Sequence, residues 1–378
     1  MYKLWIKNVE LNGFRGLYGA VELSNGLNII IGPNCSGKTA VIEALAHVLI
    51  LNYTDLRITN GLLLILHAAR GSERHSIASI APSTSDTASS PTRVCVVNNE
   101  GVRACISIEK STRIESHGTQ LSPVVEVLLK ASNRECSVKY TLGHRSIGIG
   151  IRGSECIKEK GLSIGVVTPG ILPYNFFDAL IGRIKRENPD IFRKLEINVS
   201  GKVFKPDIAS DEWDMLSAYI LESDGESRNI SFYSIGRGLQ RALLLLLQLE
   251  LSNIILIDEI ESAMHPELLE EVVYWIVNAV NSGKQVILTT QSLEAARVLV
   301  GAISGVEKSL WRRVHKLSTI IPRLCSSEEF SKQVRDKLSL IILRNIGGKL
   351  ESLKMDGCSA IQYIIGTEDV RMSYTLIS

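Results

Sequence analysis

The sequence predicts an α/β fold in which a mixed sheet is flanked by helices. Short apolar runs such as Ile254–Ile257 and Gln285–Thr289 have the length and composition of buried strands. Helical patterns alternate with these runs, as in sheets that are covered on both faces. A glycine-rich segment, Gly32–Thr39, lies between the apolar run Leu27–Ile31 and a helical pattern. This order of strand, loop and helix is typical of phosphate-binding folds.

Four regions are predicted along the chain. Residues 1–52 and 228–300 form the N-terminal and C-terminal halves of one α/β domain, which we call the head. An inserted lobe that is β-rich and then helical (53–227) separates the two halves, and an α/β extension (301–378) packs on the head. In the first half, two strands are expected between Leu4 and Leu23, joined through Asn12–Gly16, and a helix over Lys38–Leu51.

The inserted lobe differs in composition from the head. Ser72–Thr92 is rich in Ser, Thr, Ala and Pro and predicts a loop, whereas Asn175–Glu187 has the pattern of an amphipathic helix. Short alternating runs predict a small antiparallel sheet: Arg93–Val97, Ala104–Ile108, Cys136–Leu142 and Ile147–Ile151.

Helices and one further strand are predicted in the C-terminal half of the chain. The helices are Gly238–Leu249, Pro266–Asn281, Glu328–Lys337 and Ser359–Ile365, and the strand is Ser339–Leu343. A proline suits the first position of the second of these helices.

Composition limits the partners. A net charge of +2 on 378 residues indicates that any nucleic-acid surface is a local patch. The basic clusters Arg183–Arg186 and Trp311–Lys316 would suit DNA phosphates, but such short runs are more often solvated helix faces. No apolar run is long enough to span a bilayer, so no membrane partner is expected. The seven cysteines form no CxxC pair, which predicts reduced thiols in a cytoplasmic protein, without a disulfide framework or a zinc site.

The glycine-rich segment carries the first candidate site. Its backbone can direct successive N–H groups at one anion, and the following helix adds its positive end. Lys38 should reach the β- and γ-phosphates, and the Thr39 hydroxyl should hold Mg²⁺. The phosphate-contacting candidates are Gly32, Pro33, Asn34, Cys35, Ser36, Gly37, Lys38 and Thr39. Cys35 is either a tolerated small residue or a reactive thiol at a helix N-terminus.

Two acidic residues end the buried strand Ile254–Ile257. At the strand tip Asp258 can bind Mg²⁺, and Glu259 can polarise an attacking water. The alternative is a pair of solvated acids after a core strand. A serine and two glycines, Ser234, Gly236 and Gly238, precede a leucine-rich helix about 20 residues upstream of the acidic pair. They predict a second anion site or an ordinary N-cap turn.

These motifs, in this order, resemble the ABC-type AAA-domain ATPases of the RecF, SMC and OLD-like group. The quoted forms are GPNxSGKT, SxGxGxQR and hhhhDE followed by His265-Pro266. Gly13–Gly16 resembles the group's "FRG" element, whose arginine, here Arg15, approaches the nucleotide. Asp258–Glu261 with His265-Pro266 resembles the OLD-like "DEIExxxHP" form, and Gly366–Arg371 resembles the ending of relatives without a Toprim nuclease domain. The resemblance covers roughly residues 1–52 and 228–300.

The resemblance implies an enzyme that hydrolyses ATP with Mg²⁺, with Lys38 and Glu259 as catalytic residues. Two heads would sandwich the nucleotides, so a homodimer or higher homo-oligomer is expected. Ser234, Gly236 and Gly238 would then contact the γ-phosphate bound by the partner.

Two departures from the family pattern stand out. Relatives carry a switch histidine in "TTHS", where this chain has Gln291 in Thr289–Ser292. Glutamine can hydrogen-bond a γ-phosphate but cannot become cationic, which predicts slow hydrolysis. No convincing Q-loop glutamine is present, and the segment Val97–Asn99 is the candidate for its place.

Three functions are compatible with these motifs. The first is an ATPase for DNA maintenance or repair, whose nucleotide-gated dimer acts on DNA. The second is a sensor or regulatory subunit of a defence or toxin system that controls a separate effector nuclease. A transporter ATPase ranks last, because the insert and the DEIExxxHP form do not suit coupling to a membrane domain.

Overall fold

The computed structural model describes residues 4–54, 92–117, 120–133, 135–142, 147–157, 163–169, 190, 197–199, 202–208, 216–221, 227–231 and 234–367. Four predictions lie outside these residues: the loop Ser72–Thr92 except for its last residue, the helix Asn175–Glu187, the basic cluster Arg183–Arg186, and the chain end after Thr367.

Strands and helices predicted within the described residues are present, together with others that were not predicted. The strands are β1 (Ile6–Phe14), β2 (Leu17–Glu22), β3 (Leu27–Ile31), β4 (Thr92–Asn98), β5 (Arg103–His117), β6 (Gln120–Ala131), β7 (Ser137–Leu142), β8 (Ile147–Arg152), β9 (Ile164–Val167), β10 (Ile197–Val199), β11 (Lys202–Ile208), β12 (Leu216–Leu221), β13 (Ser227–Ser231), β14 (Ile254–Ile257), β15 (Gln285–Thr289), β16 (Leu338–Ile346) and β17 (Lys349–Asp356). The α-helices are α1 (Lys38–Tyr53), α2 (Arg237–Leu251), α3 (Pro266–Asn281), α4 (Leu293–Ile303), α5 (Val314–Cys325), α6 (Glu328–Arg335) and α7 (Gly357–Gly366). Among the elements that were not predicted are β6, β9–β13, β17, α4 and α5.

One mixed sheet organises the described head. Its order is β8-β7-β6-β5-β4-β1-β2-β17-β16-β3-β15-β14-β9. The block β16-β3-β15-β14-β9 is parallel, and the ladder from β1 through β4 to β8 is antiparallel. The strands β3, β14 and β15 are buried at every position, as expected for parallel strands covered on both faces. The predicted mixed sheet with flanking helices is confirmed.

The lobe predicted over 53–227 is not separate from this sheet. Its antiparallel strands form, but β4 pairs with β1 of the head. Within the same range β9 pairs with β14 in the parallel block. A second sheet, β10-β11-β12-β13, is antiparallel. The predicted boundaries of the regions stay a prediction, although β4–β8 continue the sheet of the head and β9 joins its parallel block.

Helices α1 and α2 cover opposite faces of the parallel block. A Cβ added to Gly165 of β9 would lie 2.9 Å from Gln248 on α2. Gly165 pairs with Ile255, so the Ile255 side chain shares that face. Asp258, three residues further on, faces the other side, because neighbouring residues of a strand alternate. There its carboxylate accepts a hydrogen bond from Thr39 at the start of α1.

The cysteines correct one sequence-based expectation. Cys95 lies opposite Cys105 on β4 and β5, with Cα atoms 4.0 Å apart, and the two form a disulfide. Cys325 of α5 and Cys358 of α7 form another, and Cys136 is also disulfide-bonded. The expectation of reduced thiols without disulfides was wrong, because strand register and helix packing join cysteines whose sequence spacing has no motif. Cys35 is free and exposed.

No helix in the described part of the chain is long and apolar enough to cross a membrane.

Candidate nucleotide-binding site

Two glycines shape the loop between β3 and α1. Gly32 has φ 154°, and a Cβ there would lie 2.4 Å from the carbonyl oxygen of Leu343. Gly37, with φ 97°, precedes the first residue of α1. Both φ values lie where side chains are strained, so glycine permits this path of the backbone. The loop therefore curls against β16, with the N-terminus of α1 behind it.

Lys38 lies inside this loop. Its Nζ donates hydrogen bonds of 2.9 Å to the carbonyl oxygens of Gly32 and Pro33. Burial lowers the pKa of Lys38, while attraction to nearby carboxylates, first that of Asp258 and then that of Glu259, opposes this decrease. The ammonium is thus held at the loop by weak acceptors that phosphate oxygens could replace.

Asp258 lies beneath the start of α1 and is only 3% exposed. Its Oδ1 accepts hydrogen bonds from the Thr39 hydroxyl at 3.2 Å and from the Thr289 hydroxyl at 2.7 Å. The structure therefore joins the two residues predicted to hold the metal. Mg²⁺ is commonly bound by one or two carboxylates together with water and phosphate oxygens. The residues fit such an ion, although no group of three or more His, Cys, Asp or Glu within the described ranges could hold a metal.

Glu259 follows Asp258 in a left-handed conformation, with φ 51°. Its Oε1 accepts a hydrogen bond of 2.9 Å from Nε2 of Gln291, and its backbone N–H donates to the Thr289 hydroxyl. Burial raises the pKa of Glu259 above its usual value, and repulsion from Asp258 and Glu261 raises it further. A carboxylate with a raised pKa is a better proton acceptor, which suits a general base.

Arg241 fixes the backbone of the acidic segment from the α2 side. Its guanidinium donates to the carbonyl oxygens of Asp258 and Ser262, both at 2.6 Å, and of Ile260 at 3.3 Å. Burial lowers the pKa of Arg241 to about 10. The sequence motif contains this arginine but gave no sign of what it contacts, because its acceptors are backbone atoms.

Glu261 joins the acidic segment to the segment after β15. Its carboxylate accepts hydrogen bonds of 2.8 Å from the Thr290 hydroxyl and from the backbone N–H of Gln291. Glu261 therefore holds the backbone of Gln291, while the Gln291 side chain is hydrogen-bonded to Glu259.

An open cavity of about 490 Å³ lies at the phosphate loop. The predicted nucleotide contacts that line it are Arg15, Asn34, Cys35, Ser36, Gly37, Lys38, Thr39 and Gln291. Gly32 and Pro33 take part through the carbonyl groups that bind Lys38. Leu17, Ala40 and Asn345 also line the cavity and were not predicted. Asn345 donates to the carbonyl of Cys35 from near the end of β16, a proximity that depends on sheet order.

Arg15 lines the same cavity from the turn between β1 and β2. It has φ 51°, and its Nε donates to the carboxylate of Glu43 on α1. Both side chains are almost buried, with 8% and 3% exposed. The pair holds the guanidinium beside the phosphate loop, and its approach to a nucleotide stays a prediction.

The second predicted anion site lies outside this cavity. Ser234 and Gly236 are exposed, and nothing lies within 4 Å of a Cβ added to Gly236. Gly238 is partly buried, and a Cβ there would lie 2.3 Å from the carbonyl of Ala263. None of the three residues lines the cavity of its own chain. Their predicted contact in the partner subunit stays a prediction.

Val97–Asn99 does not occupy the place of a Q-loop. β4 is separated from β3 by β1, β2, β17 and β16. The Asn98 side chain accepts from backbone N–H groups of its own turn, and the Asn99 side chain accepts from Trp5. This expectation was wrong, since the segment serves the β4–β5 turn.

The cluster Trp311–Lys316 serves local packing. Trp311 is buried, and Arg312 pairs with Glu270 and Glu294. For Arg312 these contacts favour the interpretation of an ordinary solvated surface over that of a DNA-binding patch.

The fold and the site are those of a P-loop nucleotide-binding domain. Two sequence models of protein families match the chain: "AAA domain" over residues 8–160 and "AAA domain, putative AbiEii toxin, Type IV TA system" over residues 170–296. Over these two segments, each of which is less than half of the chain, the predicted resemblance to AAA-domain ATPases is confirmed. The narrower OLD-like likeness stays a prediction.

Several solved structures are similar at low identity. They include an Smc head bound to the C-terminal winged-helix domain of ScpA (14% identity, TM-score 0.46, 93% of this chain and 98% of the other). A Pyrococcus furiosus Smc head bound to the C-terminal domain of ScpA has 12% identity and a TM-score of 0.48, over 93% of this chain and 96% of the other. The recombination mediator RecF has 13% identity and a TM-score of 0.37, over 93% and 98%. No curated protein sequence matches the chain.

Proposed function

We propose that this chain hydrolyses ATP to ADP and phosphate with Mg²⁺ and closes with a second copy of itself around the nucleotide. One observation carries the proposal. Within one chain, hydrogen bonds join Thr39 of the phosphate loop to Asp258 and Gln291 to Glu259, whereas Ser234, Gly236 and Gly238 do not line the cavity at the loop. A second copy would supply the missing anion contacts from Ser234, Gly236 and Gly238.

Each residue at the cavity has a role in this proposal. Lys38 would exchange its two carbonyl acceptors for phosphate oxygens, and Thr39 and Asp258 would hold Mg²⁺. Bound Mg²⁺ would neutralise charge on the phosphates. Glu259 would accept a proton from the attacking water, and Gln291 orients that carboxylate.

Closure of the dimer is proposed to serve DNA maintenance or repair in the cytoplasm. Nucleotide binding would favour the closed dimer and hydrolysis would reopen it, so that the ATP state controls contact with DNA. The disulfides make a cytoplasmic location unusual, because cytosolic proteins rarely contain them outside hyperthermophiles.

Size-exclusion chromatography of Glu259→Gln tests the closure. The substitution removes the general base but keeps a side chain of nearly the same size. Because bound ATP would then not be hydrolysed, ATP and Mg²⁺ should shift the protein to the dimer. The double variant Glu259→Gln/Lys38→Ala is the control and should stay in the nucleotide-free state. An apparent mass of Glu259→Gln that never responds to nucleotide would contradict nucleotide-gated dimerisation.

A second candidate is a sensor ATPase that regulates a separate toxin or nuclease. The description of the family model matched at residues 170–296 names a toxin system. Stimulation of ATP hydrolysis by duplex DNA, weakened by salt, would favour DNA maintenance. A toxin or nuclease gene beside this one, with no DNA binding at any salt concentration, would favour the regulatory function.

A further inference from the structure

A buried hydroxyl next to the acidic pair has no partner. Thr168 directly follows β9 and is 5% exposed, and its Oγ1 makes no hydrogen bond. Burying a hydroxyl without a hydrogen bond destabilises a protein, so such a group needs an explanation. Thr168 is absent from every motif that the sequence presents, because a threonine after a short apolar run carries no signal.

Strand register places Thr168 beside Asp258. Ile257 pairs with Val167 of β9 on one side and with Leu288 of β15 on the other. The next residues along the three strands are Thr168, Asp258 and Thr289. Residues in register on parallel strands present their side chains to the same face, so these three belong to one row at the carboxyl edge of the sheet.

Two hydrogen bonds show that the register continues past the strand ends. On the β15 side the Thr289 hydroxyl donates to Asp258 Oδ1 at 2.7 Å. On the β9 side the Asp258 N–H donates to the Val167 carbonyl at 2.8 Å. Asp258 is thus flanked by two threonines on the face of α1. The Thr289 hydroxyl is already bound to the carboxylate, and the Thr168 hydroxyl is not.

We propose that the Thr168 hydroxyl is a further oxygen ligand of the Mg²⁺ site, binding the ion directly or through one of its waters. This inference rests on the proposed function and adds a group to the same site. Mg²⁺ requires six oxygen ligands in a near-ideal octahedron and usually retains several waters. Thr39 and Asp258 approach the ion from α1 and β14, and Thr168 supplies an oxygen from the β9 side. The absence of a partner in the protein is then expected, because the partner is the hydrated ion.

Magnesium dependence of nucleotide binding tests this role in the full chain. A fluorescent ATP analogue is bound at increasing Mg²⁺ concentration to the wild type, Thr168→Val and Thr168→Ser. Thr168→Val keeps the shape without the hydroxyl and should raise the Mg²⁺ concentration for half-maximal binding about tenfold, as for other lost metal-supporting contacts. Thr168→Ser keeps the hydroxyl and should remain near the wild type. Analogue binding in EDTA should not change.

Ser339→Ala is the matched control. Ser339 is also fully buried with an unpartnered hydroxyl, but it pairs with Asn28 at the opposite end of the parallel block. Its loss should leave the magnesium dependence unchanged. Thermal melting without nucleotide shows whether each variant folds, and Thr168→Ala replaces Thr168→Val if the valine is not accommodated.

The outcomes separate this inference from the function on which it rests. An unchanged magnesium dependence in folded Thr168→Val or Thr168→Ala would overturn the inference and leave the ATPase proposal intact. A wild type that binds no nucleotide at any Mg²⁺ concentration would overturn the ATPase proposal itself.

Discussion

Two regions of the molecule contain residues suited to bind phosphate: the cavity at the phosphate loop and the segment Ser234–Gly238. They differ in burial and in the hydrogen bonds that their residues make within the chain. At the phosphate loop, Lys38 and the neighbouring Asp258 are nearly buried, and each makes at least two hydrogen bonds within the chain. The segment exposes Ser234 and Gly236, and space is open around the Gly236 Cα. The first region is ready to bind one face of a nucleotide, and the second is accessible to another molecule.

Arg241 connects the two regions. It lies on α2, whose N-cap is Gly236, and it binds three backbone carbonyls of the acidic segment. A force on the exposed segment would be transmitted along α2 to the backbone that carries Glu259. The difference between the regions therefore suggests how contact with a partner could be coupled to the catalytic carboxylate, and three experiments address it.

The largest effect is expected for Gly236→Asp. Aspartate is a preferred N-cap residue and nothing lies near a Cβ at this position, so folding of the chain should be preserved. Its negative charge would repel the phosphate bound by the partner. We expect hydrolysis to fall about 10²- to 10³-fold, as on loss of a group that stabilises transition-state charge. Nucleotide binding by the monomer should be retained, because its own phosphate loop is unchanged.

A mixture of two inactive variants sharpens this prediction. Lys38→Ala disables the cavity of its own chain, and Gly236→Asp disables only the contribution to the partner. A mixed dimer then contains one site with an intact cavity and an intact opposite segment. Steady-state ATPase assays should show recovery on mixing, and the absence of recovery would mean that both regions act within one chain.

The next effect is on stability, through Arg241→Met. Methionine fills much of the same volume but leaves three carbonyls, two of them in buried hydrogen bonds, without their charged donor. We expect the free energy of unfolding to fall by about 2–3 kcal/mol, the usual scale for hydrogen bonds to a charged group. Urea denaturation measures it. Arg237→Met, at the exposed start of the same helix, is the control and should change stability little. Equal effects of the two substitutions would refute the proposed connection.

The contrast between the regions also shows what the sequence could predict. Strand and helix order in the described head followed from apolar runs, and the phosphate loop, Asp258 and Gln291 were identified by motif. These are local signals, since β3, the loop and α1 are consecutive in the chain. The exposed position of Ser234–Gly238 has no comparable local signal.

What the sequence missed depends on which strands become neighbours. Asn345 borders the cavity because β16 pairs with β3, and Thr168 lies beside Asp258 because β9 pairs with β14. The disulfide Cys95–Cys105 likewise requires the register of β4 and β5. Sequence spacing carries no information about the first two pairings, whose strands lie far apart in the chain. The two cysteines are separated by only 10 residues, and there the spacing alone does not fix the register of the two strands.

The smallest effect is expected for Gln291→His, which tests whether the cavity side is built for slow turnover. The amide of Gln291 donates to the Glu259 carboxylate but cannot carry a charge. In the wild type, single-turnover hydrolysis should rise with pH as Glu259, whose pKa is raised, loses its proton.

A histidine beside that carboxylate can become cationic near neutral pH and stabilise the negative charge of the transferring phosphate. We expect hydrolysis to become about tenfold faster, less than the roughly 10²-fold or more that a positioned acid–base group typically contributes, with a new decline in rate as the imidazolium deprotonates. Gln291→Asn, which stays neutral, should show neither change. Equal single-turnover rates for the wild type and Gln291→His would show that turnover is limited elsewhere, and the exposed segment contributed by the partner would then be the place to look.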